Sequence, residues 1–424
     1  MGVVCEKRTA PFLLMWADYG IILIVRRIVE ELFFERDIYK NMLEWKKERE
    51  TGFTPKALEV RGARQVGKTV ILNKFAKENY KKVIIIHLGL EKDLRKVRDW
   101  EKRVGDPYEQ ETEFEYNMGF LRMFSNDFVD SPDTVIIIDE IQESNQVYQL
   151  IPKITRLLNA HLIVTGSNLG KVLNSKEFEI PEESVCRLSM TSLSFMEFLD
   201  IFKERELYDS LDLFGASLSQ DYWKIHKRFD TYMRVGGYPS VLREIITKSD
   251  ATSWKESSRI VDMCVEEVSR YFANIIDINL FPDAMACVAN LVLGRTPVNE
   301  FSGELATEIF KRDSVAVTQD EVLKISCWLE QSYVLTYNRA ENRYYFTDLG
   351  FANRVLRTVQ PHKDLFEEIL AEHFVFLACG DTMPYSVNIE GGNVANITAA
   401  VGKKITIPLY LLPLLALPDR SVTK

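Results

Sequence analysis

The chain has 424 residues, of which 46% are hydrophobic and 27% charged, and its formal net charge is −9. This composition is that of a folded globular protein, and it excludes a disordered, collagen-like or fibrous chain. An acidic chain is also a poor non-specific coat for nucleic acid, because such binding depends on many Lys and Arg side chains that neutralise phosphates. The length predicts about two to three domains.

The six cysteines and five histidines show no spacing typical of a disulfide framework or a metal site. No cysteine pair has C-x-x-C spacing, and no two histidines stand four residues apart. We therefore expect reduced, mostly buried thiols in a cytoplasmic protein. The apolar run 11–25 contains Asp18 and is too short to span a bilayer, so we expect neither a signal peptide nor a membrane helix there.

The first part of the chain alternates β-branched runs with helical patterns. The predicted helices are 26–50 and 70–79, and the predicted strands are 57–61, 83–88, 134–138 and 162–165. Continuous β-branched runs at such intervals are typical of a parallel sheet that is buried on both faces. We expect an α/β core in which helices flank a parallel sheet.

From about residue 190 the pattern is mostly helical, with helices predicted over 195–206 and 222–235 and a turn at Gly236–Pro239. Residues 280–355 predict three helices and then two short strands, the layout of a winged helix. Those strands are predicted at 333–338 and 343–347, with a hairpin turn at 339–342. The last stretch, from 364, begins helical and ends in weak strands.

Residues 62–69 match the P-loop pattern G-x-x-x-x-G-K-[ST] and lie between a predicted strand and a predicted helix. They are Gly62, Ala63, Arg64, Gln65, Val66, Gly67, Lys68 and Thr69. The glycines allow backbone N–H groups to point at nucleotide phosphates, which the helix start also attracts. We expect Lys68 to reach the β- and γ-phosphates and Thr69 to bind Mg²⁺. For the loop alone, a glycine-rich turn is the alternative.

A second motif, VIIIDE at 135–140, is a buried strand that ends in two carboxylates. At the edge of a parallel sheet, Asp139 is expected to lie beside the P-loop and to hold Mg²⁺ through water. Glu140 is expected to polarise the water that attacks the γ-phosphate. The two motifs in this order predict a P-loop nucleoside triphosphatase. The absence of an N-K-x-D base motif favours ATP over GTP.

The strand at 162–165 is followed by Gly166, Ser167 and Asn168, where a polar side chain would contact the γ-phosphate or the attacking water. We assign this role to Asn168, with Ser167 as the other choice and a helix N-cap as an equally expected alternative. Arg156 and Arg187 are candidate arginine fingers, although a surface or ion-paired arginine is the simpler interpretation of each.

The chain resembles the bacterial and archaeal ATPases that pair an AAA-type P-loop domain with a C-terminal region called DUF4143, over roughly residues 26–380. The similar segments are GARQVGKT at 62–69, VIIIDEIQ at 135–142, VTGSN at 164–168, LSFMEFL at 193–199, RVGGYPSVL at 234–242 and YYFTDLGFANRVL at 344–356. The resemblance implies an AAA core (51–190), a helical lid (191–275) that carries Gly236–Pro239, and a winged-helix-like DUF4143 module (276–360). The residue pattern adds an N-terminal helical segment (1–50) and a small α+β tail (361–424).

Members of this family often end in a segment similar to a PD-(D/E)xK nuclease. Here the residues that correspond to its metal-binding Asp, its Glu and its Lys are Asn396, Tyr410 and Leu412. Metal-dependent phosphodiester cleavage needs carboxylates that hold the ion. We therefore expect the tail to be degenerate and inactive as a nuclease.

The winged-helix-like module is acidic: over residues 300–355 six Lys and Arg oppose nine Asp and Glu, a net charge of −3. DNA-reading modules are normally rich in positive charge, so packing or protein interaction is favoured, with Arg339 and Arg343 keeping DNA contact as the alternative. We expect a Mg²⁺-dependent ATPase, with a protein partner or a second copy of the chain and no membrane. A nucleotide-gated regulatory module with little hydrolysis is the alternative function.

Overall fold

The computed structural model describes residues 33–52, 56–104, 113–167, 178–213, 220–248, 250–272, 281–313, 318–380, 385–390, 394–399 and 404–416. The predicted residues 1–32 of the N-terminal segment and the candidate residue Asn168 lie outside these ranges.

A five-stranded parallel sheet with the order β2-β3-β4-β1-β5 forms the centre of the first half of the chain. Its strands are β1 (Ala57–Arg61), β2 (Lys82–His87), β3 (Thr134–Asp139), β4 (His161–Thr165) and β5 (Val185–Ser189). β3 and β4 are buried along their whole length, as expected for central strands covered on both faces. The predicted α/β core is confirmed. β5 was not predicted, because its run VCRLS is short and half polar.

Helices cover both faces of this sheet. They are α1 (Ile38–Glu50), α2 (Lys68–Asn79), α3 (Glu91–Val104), α4 (Glu113–Arg122), α5 (Asn145–Gln149) and α6 (Ile151–Leu157). Alternate residues of β3 enter opposite hydrophobic clusters, with Ile137 in one and Ile138 in the other.

The first described helix is shorter than the sequence pattern predicted. It begins at Ile38, and residues 33–36 are not helical, so the predicted helix over 26–50 is wrong in that part. The reason is tertiary: Arg36 and the backbone N–H of Asp37 both bind the Glu197 carboxylate, which holds the chain in place just before the helix.

The second half of the chain is mostly helical, as expected. Its helices are α7 (Phe195–Ile201), α8 (Arg205–Ser210), α9 (Gln220–Val235), α10 (Pro239–Thr247), α11 (Asp250–Phe272), α12 (Phe281–Leu293), α13 (Val298–Asp313), α14 (Gln319–Gln331), α15 (Leu349–Leu356) and α16 (Lys363–Cys379). The single helix predicted over 195–206 is two helices, because Lys203 takes a left-handed conformation with φ 55°. Next to it Glu204 is buried and pairs with Arg228.

Strands β6 (Leu335–Asn338) and β7 (Arg343–Phe346) form the predicted antiparallel hairpin after α14. The tail contains a three-stranded antiparallel sheet with the order β10-β9-β8. Its strands are β8 (Tyr385–Glu390), β9 (Val394–Ala399) and β10 (Lys404–Pro408), followed by the 3₁₀ segment Leu409–Ala416. Tyr410 and Leu412 of that segment are buried, and the Tyr208 hydroxyl donates to the Tyr410 carbonyl at 2.6 Å.

Two expectations from the sequence concern membrane helices and thiols. No helix among the described residues is long and apolar enough to cross a membrane. None of the described cysteines forms a disulfide; Cys287 is buried and Cys327 is exposed. The expectation of mostly buried thiols holds in part, because Cys186, Cys264 and Cys379 are half-buried.

Candidate functional site

The P-loop connects the end of β1 to the start of α2. Gly67 caps α2 with φ 101°, a left-handed conformation that favours glycine. Gly62 lies so close to the segment after β5 that an added Cβ would stand 1.9 Å from the Met190 carbonyl oxygen. Both glycines of the motif are therefore required by the backbone, one for its conformation and one for close approach.

Lys68 is folded back into the loop that precedes it. Its Nζ donates to the carbonyl oxygens of Gly62 at 2.7 Å and of Ala63 at 2.8 Å, and the residue is 6% exposed. A buried ammonium group is costly unless it is hydrogen-bonded. These carbonyl acceptors allow the loop to hold a positive charge close to its own backbone N–H groups.

Thr69 meets the end of the neighbouring strand β3. Its hydroxyl donates to Oδ2 of Asp139 at 2.9 Å, and the other oxygen of Asp139 accepts from the backbone N–H of Glu140 at 2.9 Å. Hydroxyl and carboxylate oxygens are the hard ligands that Mg²⁺ prefers. The donor set at this point therefore fits the metal that the sequence predicted.

Glu140 turns away from the sheet at the end of β3, with φ 53°. The Gln142 side-chain amide donates to its Oε2 at 2.5 Å, and the Ser167 hydroxyl lies 3.4 Å from its Oε1. Both donors are neutral, so they orient the Glu140 carboxylate without forming an ion pair with it. The structure thus brings Thr69, Asp139, Glu140 and Ser167 together at one edge of the sheet.

His87, the last residue of β2, lies beside this carboxylate. It pairs in register with Asp139, and a Cβ added to Gly89 would stand 3.0 Å from its Cε1 and 3.4 Å from Cγ of Glu140. Its Nδ1 is buried without a hydrogen-bond partner in the described part of the chain. Neither His87 nor Gln142 was predicted as a site residue from the sequence. The one signal in the sequence for His87 was its place near the end of a predicted strand; its neighbour β3 is known only from the fold.

Helix α11, in the region predicted as a lid, reaches the tip of the P-loop. Arg259 donates through Nη2 to Oε1 of Gln65 at 3.1 Å, and the Gln65 amide lies 3.2 Å from Sδ of Met263. The pKa of Arg259 is raised by its hydrogen bond to Glu256, so its charge is firmly held. No local sequence pattern predicted this contact.

A narrow apolar cleft lies beside the start of α2. Its walls come from three separate parts of the chain: Phe33 and Phe34 before α1, Val70 in α2, and Pro239 at the start of α10. A larger cavity of about 480 Å³ lies between the P-loop and the module that contains β6 and β7. Val66 and Met190 line both spaces.

The two candidate arginine fingers are differently placed. Arg187 lies on β5 and pairs within its own chain with the buried Glu59 at 3.8 Å and with Glu182 at 3.2 Å. The Tyr148 hydroxyl also donates to Glu59, at 2.9 Å, and burial raises the pKa of that tyrosine. Arg156 lies at the end of α6 and is exposed.

The tail positions offer no carboxylates for a nuclease metal. Asn396 lies on β9, and Tyr410 and Leu412 are buried among apolar side chains. Among the described residues, no group of three or more His, Cys, Asp or Glu side chains is placed to hold a metal ion.

One protein-family model matches part of the chain. Residues 54–199 match the model of an AAA domain family. Similar solved structures include the ORC2 protein of Aeropyrum pernix, with 10% identity and a TM-score of 0.40 over 82% of this chain and 98% of that one. The RuvB Holliday junction branch migration motor of Thermotoga maritima has 14% identity and a TM-score of 0.33 over 74% and 93%. No curated protein matches the sequence. Residues 54–199 are thus similar to an AAA domain, on the strength of the family model alone.

Proposed function

We propose that this protein binds ATP with Mg²⁺ and hydrolyses it in the AAA-type domain. The observation that carries the proposal is the 2.9 Å hydrogen bond from the Thr69 hydroxyl to Asp139, which joins the P-loop to the end of β3. Glu140 follows directly in the chain, so phosphate-binding, metal-binding and proton-accepting groups meet within one turn of backbone. Sequence motifs alone leave this convergence open, since it depends on the strand order.

In this proposal the P-loop residues 62–69 bind the triphosphate. Backbone N–H groups of the loop and of the first turn of α2 point at phosphate oxygens, and Lys68 moves from its carbonyl acceptors to the β- and γ-phosphates. Thr69 and Asp139 hold Mg²⁺, which neutralises charge on the phosphate oxygens. The N–H of Glu140 fixes the Asp139 carboxylate in that orientation.

Glu140 acts as the base that orients the attacking water and accepts its proton. Its carboxylate is held by the neutral donors Gln142 and Ser167, so it remains an acceptor for the water. We keep Asn168 as the residue that contacts the γ-phosphate, and Ser167 stands beside it in sequence and next to Glu140 in space.

The purine base is proposed to enter the apolar cleft beside α2. Phe33, Val70 and Pro239 supply apolar surface next to the helix start; the cleft has a volume of about 40 Å³ and has to widen to admit the base. Since Pro239 begins α10, a base in this cleft would contact the lid directly. Occupancy of the cleft would then be coupled to the position of the lid.

ATP turnover is proposed to move the lid and the C-terminal module, which we interpret as a winged-helix-like DUF4143 region. Three contacts support this coupling. Arg259 reaches Gln65 of the P-loop, the Gly237 carbonyl accepts from the N–H of Leu193 at 2.8 Å, and Asp348 of the C-terminal module binds the N–H of Gly237. A change at the P-loop would therefore reach the lid directly through Arg259, and the C-terminal module through the bond between Gly237 and Asp348.

The C-terminal module is proposed to contact protein rather than DNA. Arg343, one of the two basic residues of the predicted wing, donates to Glu372 at 3.2 Å and also pairs with Glu341. The Tyr345 hydroxyl donates to Glu341 at 2.6 Å. These acidic partners reduce the positive charge that phosphate binding would require.

The second candidate function, a nucleotide-gated regulator with little hydrolysis, is favoured by one observation. Both carboxylate oxygens of Glu140 already lie within hydrogen-bonding distance of side-chain donors, Gln142 and Ser167. In this alternative the two donors hold the carboxylate away from the attacking water, so that turnover is slow, whereas in the first function they orient it towards the water. Steady-state phosphate release at saturating ATP discriminates the two functions: a rate at background under all conditions tested, with and without DNA, favours the regulator.

The decisive experiment uses two variants of the full chain. Lys68→Ala should abolish ATP binding, measured by calorimetry, because the loop loses its positive charge. Glu140→Gln should retain binding and lose hydrolysis, because the amide cannot accept the proton of water. Hydrolysis at the wild-type rate in either variant would overturn the assignment.

A further inference from the structure

The buried guanidinium of Arg36 binds three separate parts of the chain. Nη1 donates to the Val66 carbonyl of the P-loop at 2.9 Å, Nη2 to the Thr191 carbonyl after β5 at 2.7 Å, and Nε to Oε1 of Glu197 at 3.0 Å. Arg36 is 8% exposed, so these acceptors replace most of the water that the charge would otherwise bind. Arg36 lies outside the P-loop motif, and the motif itself does not require an arginine at this place.

The acceptor in the P-loop is informative because of peptide geometry. The Val66 carbonyl and the Gly67 N–H belong to one planar trans peptide and point in opposite directions. A donor that holds the carbonyl on one side therefore fixes the direction of the N–H on the other side. Gly67 is the N-cap of α2, so this N–H lies at the start of the helix, where phosphate oxygens are expected.

The other partners keep the guanidinium in this position. Glu197 is 6% exposed; its Oε1 also accepts from the N–H of Asp37 at 2.8 Å, and its Oε2 accepts from the N–H of Ser194 at 2.9 Å. Each oxygen of Glu197 thus has a fixed donor besides any contact with Arg36. The planar, forked shape of the guanidinium lets it span a carboxylate and two carbonyls at once, which the point charge of a lysine does not.

We propose that Arg36 is a positioning residue for nucleotide phosphates: it holds the Val66 carbonyl away from the phosphate site, so that the Gly67 N–H faces the β-phosphate. The inference rests on the nucleotide binding proposed above and deepens it. Arg36 touches neither the phosphates nor the attacking water in this role, and acts through the Val66–Gly67 peptide. It should therefore affect the affinity for ADP and ATP more than the rate of the chemical step.

The test compares the same substitution at two ion-paired arginines. Arg36→Lys keeps the positive charge beside Glu197 and loses the fork that reaches Val66 and Thr191. Arg228→Lys is the matched control, because Arg228 binds Glu204 through two nitrogens at 2.9 and 3.1 Å in a separate part of the fold. If Arg36→Lys does not fold, the double variant Arg36→Met/Glu197→Gln removes both charges and leaves no unpaired carboxylate.

The affinity of each purified full-length variant for ADP and ATP is measured by calorimetry, and steady-state kinetics give kcat and KM. We expect Arg36→Lys to raise the Kd for ADP about tenfold or more, the effect of one hydrogen bond to a charged group. KM should rise in parallel while kcat changes by less than about threefold, and Arg228→Lys should alter Kd by less than about threefold. A purely structural role of Arg36 does not produce this separation of KM from kcat.

Wild-type affinity for ADP in folded Arg36→Lys, or in the folded double variant, would overturn the role of Arg36. An equal loss of affinity in Arg36→Lys and Arg228→Lys would do the same, because the effect would then be a general loss of stability. A wild-type chain that binds neither ADP nor ATP is a different result: it overturns the proposed function, and this inference with it, before any variant is compared.

Discussion

The carboxylate of Asp348 accepts a hydrogen bond from the backbone N–H of Gly237, 111 residues earlier in the chain, at 2.8 Å. Its other oxygen accepts from the N–H of Phe351 at 2.8 Å and so caps α15. Burial raises the pKa of Asp348 above its ordinary value, and the N–H donors oppose that rise. The close packing of glycines at 236, 237 and 350 around it makes this point a fixed joint between the predicted lid and the C-terminal module.

Asp348→Ala should destabilise the protein by about 2–4 kcal/mol, because two buried N–H groups lose their acceptor. Urea unfolding of the purified chain measures the change. Asp364→Ala, at an exposed position, is the control and should leave the free energy of unfolding unchanged. Equal unfolding free energies for the Asp348 variant and the wild type would show that the joint contributes nothing to stability.

Gln142→Leu should lower kcat about tenfold to a hundredfold and leave the Kd for ATP nearly unchanged. Its amide is the 2.5 Å donor to Glu140, and a misplaced base can cost this much in rate. Phosphate release at saturating ATP gives kcat, and calorimetry gives Kd. Gln146→Leu, an exposed glutamine on α5, is the matched control. A kcat equal to that of the wild type would mean that Glu140 does not depend on Gln142.

Local sequence patterns predicted most strands of the sheet and the P-loop, because each strand and the motif consist of consecutive residues. The run VIII of β3 and the motif at 62–69 each lie within one segment. β5 was not predicted because its run VCRLS is short, half polar and buried only at Val185; its parallel pairing with β1 identifies it as a strand.

The partners of the P-loop could not be predicted in the same way. Arg36 stands 30 residues from Val66 and Arg259 stands 194 residues from Gln65, so neither contact leaves a periodic or spaced signal. His87 becomes relevant only because strand order places the end of β2 beside the end of β3. Such residues are recognised only from their contacts in the folded chain, because those contacts join segments that are far apart in the sequence.

Arg259→Met should accelerate nucleotide release several-fold. The variant retains the apolar stem of the side chain and loses the 3.1 Å hydrogen bond to Gln65 that joins α11 to the P-loop. An exposed contact of this kind contributes about 1 kcal/mol or less, which limits the expected change to about fivefold. Stopped-flow release of a fluorescent ADP analogue measures the rate. Lys255→Met, at an exposed position one turn earlier on α11, is the control and should release ADP at the wild-type rate. A wild-type release rate in Arg259→Met would mean that the lid is not coupled to the P-loop.

His373 should make the protein less stable as the pH falls from about 7 to 5. The residue is fully buried in α16, its Nδ1 donates to the Ile369 carbonyl at 2.7 Å, and burial lowers its pKa to about 4 from an ordinary value of 6.5. Because the pKa is lower in the folded state, the unfolded chain binds the proton first. Stability is therefore complete above pH 6.5 and declines as the pH falls towards 4.

Between pH 7.5 and 5.0 this histidine should cost about 2 kcal/mol of unfolding free energy. Urea titrations at the two pH values measure the difference for the wild type, for His373→Leu and for His362→Leu. The leucine at 373 removes the titrating ring, so that variant should lose about 2 kcal/mol less than the wild type on acidification, whatever its absolute stability. His362 is exposed, and its variant should follow the wild type. If all three chains lose the same free energy, the proton that destabilises the fold does not bind at His373.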